Sequence, residues 1–129
     1  MLLAPGQRWT YRAPPGFEAS RIVIGALATC ETAGRIVCFS VSGAPYRWPD
    51  GRVEAVSIPF IPLTEAAFLA TVVALDGSAD PDEGFAEAVS AWTTDTRGLT
   101  VFTVAYDGML DVLIARQMAA LTDPAIPAA

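Results

Sequence analysis

The sequence predicts an α+β domain: a small, strongly bent antiparallel sheet or SH3-like partial barrel, about five strands, with about three helices packed on it. Three observations predict it. The first half of the chain shows the two-residue alternation of strands, interrupted by proline and glycine turn signals. Helical punctuation begins only at Leu63-Thr64, and a further strand-like run, Leu99 to Val104, lies between two helical stretches.

The first strand is Gln7 to Arg12, where Arg8, Thr10 and Arg12 alternate with Trp9 and Tyr11. Ala13-Pro14-Pro15-Gly16 ends it, because proline cannot donate to a ladder and glycine takes positive φ at little cost. Ser20 to Cys30 and Arg35 to Ser42 form a hairpin around Glu31-Thr32-Ala33-Gly34, with Gly34 in the left-handed region. The expected register places Leu27 opposite Phe39, Gly25 opposite Val41, Ala28 opposite Cys38 and Cys30 opposite Ile36. Both faces of this hairpin are apolar, as in a sheet covered on both sides. Gly43 to Gly51 reads as a loop ending in the turn signal Asp50-Gly51. The fourth strand is Arg52 to Ile61, and Pro59 and Pro62 confine its end to a sheet edge.

Thr64 is the expected N-cap of the first helix, with Leu63 packed on Phe68. Phe68, Val72 and Leu75 continue at helical spacing to a C-cap at Gly77. Asp80-Pro81-Asp82-Glu83 reads as N-cap, N1, N2 and N3 of the second helix, whose apolar stripe is Phe85, Ala88, Val89 and Trp92. Gly98 precedes the fifth strand, Leu99 to Val104. Asp107 caps a third helix reaching Leu121, with Leu110, Leu113, Ile114 and Met118 as its apolar face. Residues 1–121 make one domain, and 122–129, with two prolines and little to bury, form a fraying tail.

Composition excludes most familiar chemistry. The 129 residues include no His, no Lys and no Asn. Imidazole acid–base and metal chemistry, Ser-His-Asp and Cys-His arrangements, Schiff bases and the P-loop lysine are all out of reach. No catalytic motif and no cofactor are expected. The net charge is −6, and the eight basic residues, all Arg, are scattered, so nucleic acid and anionic membrane surfaces are not expected partners. The apolar runs fall short of the ~20 residues that span a bilayer, and the first residues lack the pattern of a secretory leader. A cytoplasmic location is the expectation.

Two cysteines, Cys30 and Cys38, are too few ligands for a structural zinc site and read as small buried hydrophobes, or as one reactive thiol. The acidic group Asp76, Asp80, Asp82, Glu83 and Glu87 does not match a calcium loop and fits capping and solvation, so no metal is expected. The set worth following combines arginines and aromatics: Arg8, Arg12, Tyr46, Arg47, Trp48 and Arg52, beside Trp9 and Tyr11. A large aromatic in a loop, as at Trp48, is poorly explained by core packing. Guanidinium forks and aromatic faces lining one concavity would hold a carboxylate or phosphate, or serve as a protein hot spot. The bland alternative puts Trp9 and Tyr11 in the core and pairs Arg47 and Arg52 with Asp50 or Glu54.

The opening Pro5-Gly6-Gln7-Arg8-Trp9-Thr10-Tyr11-Arg12 resembles that of a family of small uncharacterised bacterial proteins. The likeness continues through Ser20-Arg21-Ile22-Val23-Ile24-Gly25, Pro62-Leu63-Thr64 and Gly98-Leu99-Thr100-Val101-Phe102-Thr103-Val104. The resemblance implies a compact, independently folding domain without an assigned activity, so no catalytic role carries over. Two functional readings remain: a non-catalytic interaction or binding module, with a protein partner or a second copy of itself, and a binder or atypical hydrolase of a small anionic ligand.

Overall fold

The apolar alternation of the first half of the chain builds a five-stranded antiparallel sheet in the order β4-β3-β2-β1-β5. The computed structural model describes residues 2–95 and 100–122. In chain order the elements are β1 Gln7–Tyr11, β2 Arg21–Cys30, β3 Gly34–Arg47, β4 Val53–Thr64, α1 Glu65–Thr71, β5 Val72–Ser78, α2 Phe85–Thr93 and α3 Leu110–Thr122. The α+β class, the five strands and the three helices are as expected. Register shifts interrupt three of the four ladders, and such shifts bend a sheet. Among the described residues β4 and β5 do not pair, so the sheet is open.

Both faces of the central strands are covered. On one face Trp9, Tyr11, Ile22, Ile24, Val37, Phe39, Ile61 and Leu63 form the main core with Phe68 of α1, Tyr106 and Leu113 of α3. On the other, Ile36 and Cys38 pack with Phe85 and Trp92 of α2. Phe60 stands between the last two, with ring centroids 5.8 Å from Phe85 and 5.4 Å from Trp92. Two-sided burial explains why β2 and β3 are nearly all apolar.

The β2–β3 register differs from the expected one by two residues between Ala26 and the turn, and by three beyond the register shift at Gly25. Gly34 does take positive φ, +71°, but it belongs to the ladder opposite Cys30, leaving a three-residue loop of Glu31, Thr32 and Ala33. Leu27 therefore faces Val37, Ala28 faces Ile36 and Ala26 faces Cys38, while Gly25 falls at a register shift. The shift of two near the turn keeps those side chains on their expected face, and the extra residue at Gly25 adds the third step beyond it. β3 also runs five residues past Ser42, to Arg47, after a shift around Gly43, whose φ is +61°.

Four further expectations need correction. Thr64 caps α1, its Oγ1 accepting from the Ala67 amide at 3.3 Å, but the helix stops at Thr71. Val72 to Ser78 becomes β5, because β1 offers an unpaired side and β-branched Val72-Val73 suits a strand. α2 starts at Phe85 with Gly84 as N-cap, not at Asp80. Asp82 is occupied otherwise: its carboxylate accepts from the Gly84 amide at 2.8 Å, and its own amide donates to Ser40 Oγ at 3.0 Å.

Of the expected fifth strand, Leu99 and the preceding Gly98 lie outside the described residues. Its remainder makes a single parallel bridge, Phe102 to Leu63, against the β4 edge. α3 starts at Leu110 rather than after Asp107. Gly108 intervenes at φ +106°, and the Asp107 carboxylate turns to Arg116 at 2.5 Å. Pro59 and Pro62 lie on edge strand β4, as expected. Residues 123–129 of the expected tail lie outside the described residues.

Candidate functional site

β3 and β4 form a long hairpin whose far end lies beside the start of α3. Its turn is sewn by short bonds. Trp48 N–H donates to the Arg52 carbonyl at 2.8 Å, Gly51 N–H donates to the Trp48 carbonyl at 2.9 Å, and Gly51 takes φ +92°. Asp50 accepts from the Arg52 amide at 2.9 Å and from its Nε at 2.6 Å. The same guanidinium reaches Glu54 Oε1 at 2.8 Å, so Arg52 is committed to two carboxylates at the rim.

The alternation Ala44, Tyr46, Trp48 continues the main-core face of β3, with Val56 and Ile58 beside it on β4. Ala44 is buried. Further out there is less to cover that face, and Trp48 remains 37% exposed. Tyr46 and Trp48 meet edge to face, ring centroids 4.9 Å apart and planes at 70°. With Val56, Ile58, Pro59 and Leu110 they line an apolar cleft of about 250 Å³. Tyr46 and Leu110 also form a wall of a second cleft, about 130 Å³, completed by Arg47, Asp111 and Ile114. There Arg47 Nε lies 3.5 Å from Asp111 Oδ2.

Of the six residues singled out from the sequence, four are therefore brought together: Tyr46, Arg47, Trp48 and Arg52. Arg8 and Arg12 are elsewhere. Arg8 lies on β1 and Arg12 directly follows it, and β2 separates β1 from β3. Arg8 Nε donates to the Asp76 carbonyl at 2.8 Å, and Arg12 donates to the Ala70 carbonyl at 2.6 Å, tying β1 to the α1–β5 segment. Arg21, not among the expected residues, donates to Asp76 Oδ2 at 2.7 Å. That bond leads in holding the Asp76 carboxyl below its usual range, helped by the charges of Arg21 and Arg8. Trp9 and Tyr11 are core, as the bland alternative held. Pro59 and Leu110 were not legible as lining residues, because each reaches the cleft from a distant stretch of chain.

The thiols have separate environments. Cys38 is fully buried, and burial pushes its thiol up to about 11. Cys30 lies 3.3 Å from the Thr32 hydroxyl, which leads in lowering its pKa. Both are free, and the observed register moves them further apart along the hairpin than the expected one. Among the described residues no three thiol or carboxylate groups converge as metal ligands. Among the same residues no helix is long and apolar enough to cross a membrane.

The fold and the cleft define the class: an α+β domain with an open antiparallel sheet and an aromatic groove at one end. Compared with protein-family models, curated proteins and solved structures, the chain matches none of them.

Proposed function

We propose that this chain is a non-catalytic protein-interaction module that contacts its partner through the groove of Tyr46, Trp48, Pro59 and Leu110. The observation that carries the reading is the edge-to-face Tyr46–Trp48 pair standing partly exposed over an apolar cleft. Large, stiff aromatics that present apolar area at low entropic cost are the side chains that dominate protein interfaces. Arg47, Arg52, Asp50, Glu54 and Asp111 supply a polar rim around them. A cytoplasmic protein partner, rather than nucleic acid or lipid, suits the net charge of −6.

The anionic-ligand reading draws less support. The cleft that holds Arg47 also holds the Asp111 carboxylate, and Arg52 already faces Asp50 and Glu54. An incoming anion would compete with carboxylates in place.

Affinity capture with the tagged chain tests the module reading, with Trp48→Ala and Arg12→Ala run beside the wild type. A partner recovered by the wild type and by Arg12→Ala but lost with Trp48→Ala is the expected outcome. Identical recoveries from all three would count against the groove.

A further inference from the structure

The groove touches four consecutive residues of β4: Val56, Ser57, Ile58 and Pro59. Consecutive side chains of a strand point to opposite faces, so a cleft that meets all four lies against the strand's backbone. β3 takes the inner side of β4, which leaves the outer edge. Further along, that edge is covered. The Phe102 amide donates to the Pro62 carbonyl, and the Phe102 carbonyl accepts from the Thr64 amide, both at 3.0 Å. Beside the groove it is bare, with Val53, Ala55 and Ser57 exposed.

The direction of the backbone there follows from the turn. Trp48 N–H donates to the Arg52 carbonyl, and the register runs without a shift from Arg47 opposite Val53 to Ala44 opposite Val56. Hydrogen-bonded pairs alternate in an antiparallel ladder, so Tyr46 exchanges bonds with Glu54, and Ala44 with Val56. Val53 and Ala55 therefore turn their amide and carbonyl groups outward, and Ser57 follows by alternation. Pro45 agrees with this phase. It stands opposite Ala55, where the ladder requires no amide hydrogen.

The other face of the same edge has the opposite chemistry. Ser57 also lines a cleft of about 110 Å³ on the α2 side of the sheet, with Ser40, Ser42, Asp80 and Asp82. Every described arginine lies against a carboxylate, yet none lies against Asp80 or Asp82. The bare edge thus has an apolar cleft on one face and uncompensated negative charge on the other.

We propose that the partner enters the groove as an extended segment that adds a strand to β4 at residues 53–57 and alternates apolar with basic side chains. Segment residues opposite Ala55 and Ser57 exchange backbone hydrogen bonds with them and direct their side chains toward Asp80 and Asp82. The residue between, opposite Val56, directs its side chain into the cleft of Tyr46, Trp48 and Leu110. A helix in the groove would leave the outward amides unpaired, and an acidic segment would meet like charge. The inference rests on the groove as the contact surface and adds to it the backbone pairing and the sign of the charge.

An end-blocked eight-residue peptide of alternating lysine and leucine is the probe, beside a glutamate–leucine peptide of the same pattern. Bound to the full chain, the lysine peptide should slow amide exchange at Val53, Ala55 and Ser57. Exchange at Glu54 and Val56, already bonded to β3, should change little. The glutamate peptide should bind about tenfold more weakly at low salt, with a smaller gap at high salt, and Asp80→Asn with Asp82→Asn should narrow that gap. Ala55→Pro removes an outward amide without touching the β3 ladder and should weaken the lysine peptide by about tenfold with unchanged circular dichroism. Binding that Trp48→Ala weakens but Ala55→Pro does not would overturn the added strand and spare the groove. Protection of Ala55 that survives Trp48→Ala would support the strand and count against the groove. A lysine peptide that does not bind, or that binds without slowing exchange at Ala55, overturns the proposal.

Discussion

The ring of Phe85 lies against the bare Cα of Gly25, in the space a β-carbon there would take. Phe85 opens α2 and is buried, and Gly25 sits at the register shift in the β2–β3 ladder, so the contact fixes how α2 docks on the sheet. Gly25→Ala should cost about 1–3 kcal/mol, the usual effect of overpacking. Urea unfolding checks this. In the Phe85→Leu background the penalty of the same substitution should shrink, because the ring it collides with is gone.

Tyr11 and Tyr106 stack 5.4 Å apart in the main core, with different polar fates. The Tyr11 hydroxyl bonds Ser20 Oγ at 2.7 Å, whereas the Tyr106 hydroxyl is buried without a hydrogen-bond partner among the described residues. Tyr11→Phe should therefore cost about 1 kcal/mol. Tyr106→Phe should be neutral or stabilising, since it removes a desolvated hydroxyl that gains nothing in return. Thermal melts of the two variants give the comparison directly.

Thiol reactivity should divide the two cysteines. With burial holding the Cys38 thiol at about 11 and the Thr32 hydroxyl lowering that of Cys30, a thiol-specific reagent at pH 8 should label the native chain once, at Cys30. The second site should react only in denaturant. Peptide mapping of the labelled protein identifies the position.

Stability should fall on both sides of neutrality, for different groups. Burial raises the pKa values of Cys38, Tyr11 and Tyr106, so the unfolded chain releases these protons first as pH rises. Their contribution is complete below the ordinary thiol value of 9.0 and is lost progressively above it. Asp76 has the opposite sign. Its folded pKa lies below the ordinary 3.8, so its contribution holds above that value and disappears as pH falls through the folded one. Urea midpoints at acidic, neutral and alkaline pH should be highest at neutrality, with tyrosinate absorbance appearing together with alkaline unfolding.

The local signals of the sequence carried much of the fold. Alternation located β1 to β4, the prolines placed β4 on an edge, and Thr64 capped α1. β5 was hidden because Phe68, Val72 and Leu75 fit helical spacing, and its strand state depends on β1, more than 60 positions earlier. The start of α2 was hidden because Asp82 bonds to Ser40 of β3, a partner that no local pattern indicates.

The site divided in the same way. Tyr46, Arg47, Trp48 and Arg52 come together because they share one hairpin. Arg8 and Arg12 do not join them, because strand order puts β2 in between.

The central claim is that Trp48 anchors a protein partner over the cleft. Its most direct test is the ratio of dissociation constants of the Trp48→Ala and wild-type chains for the captured partner, with both chains shown to be equally folded. A hot-spot aromatic predicts a loss of about tenfold or more, matched by a loss in Leu110→Ala across the cleft and absent in Arg12→Ala. Equal constants for wild type and Trp48→Ala would contradict it.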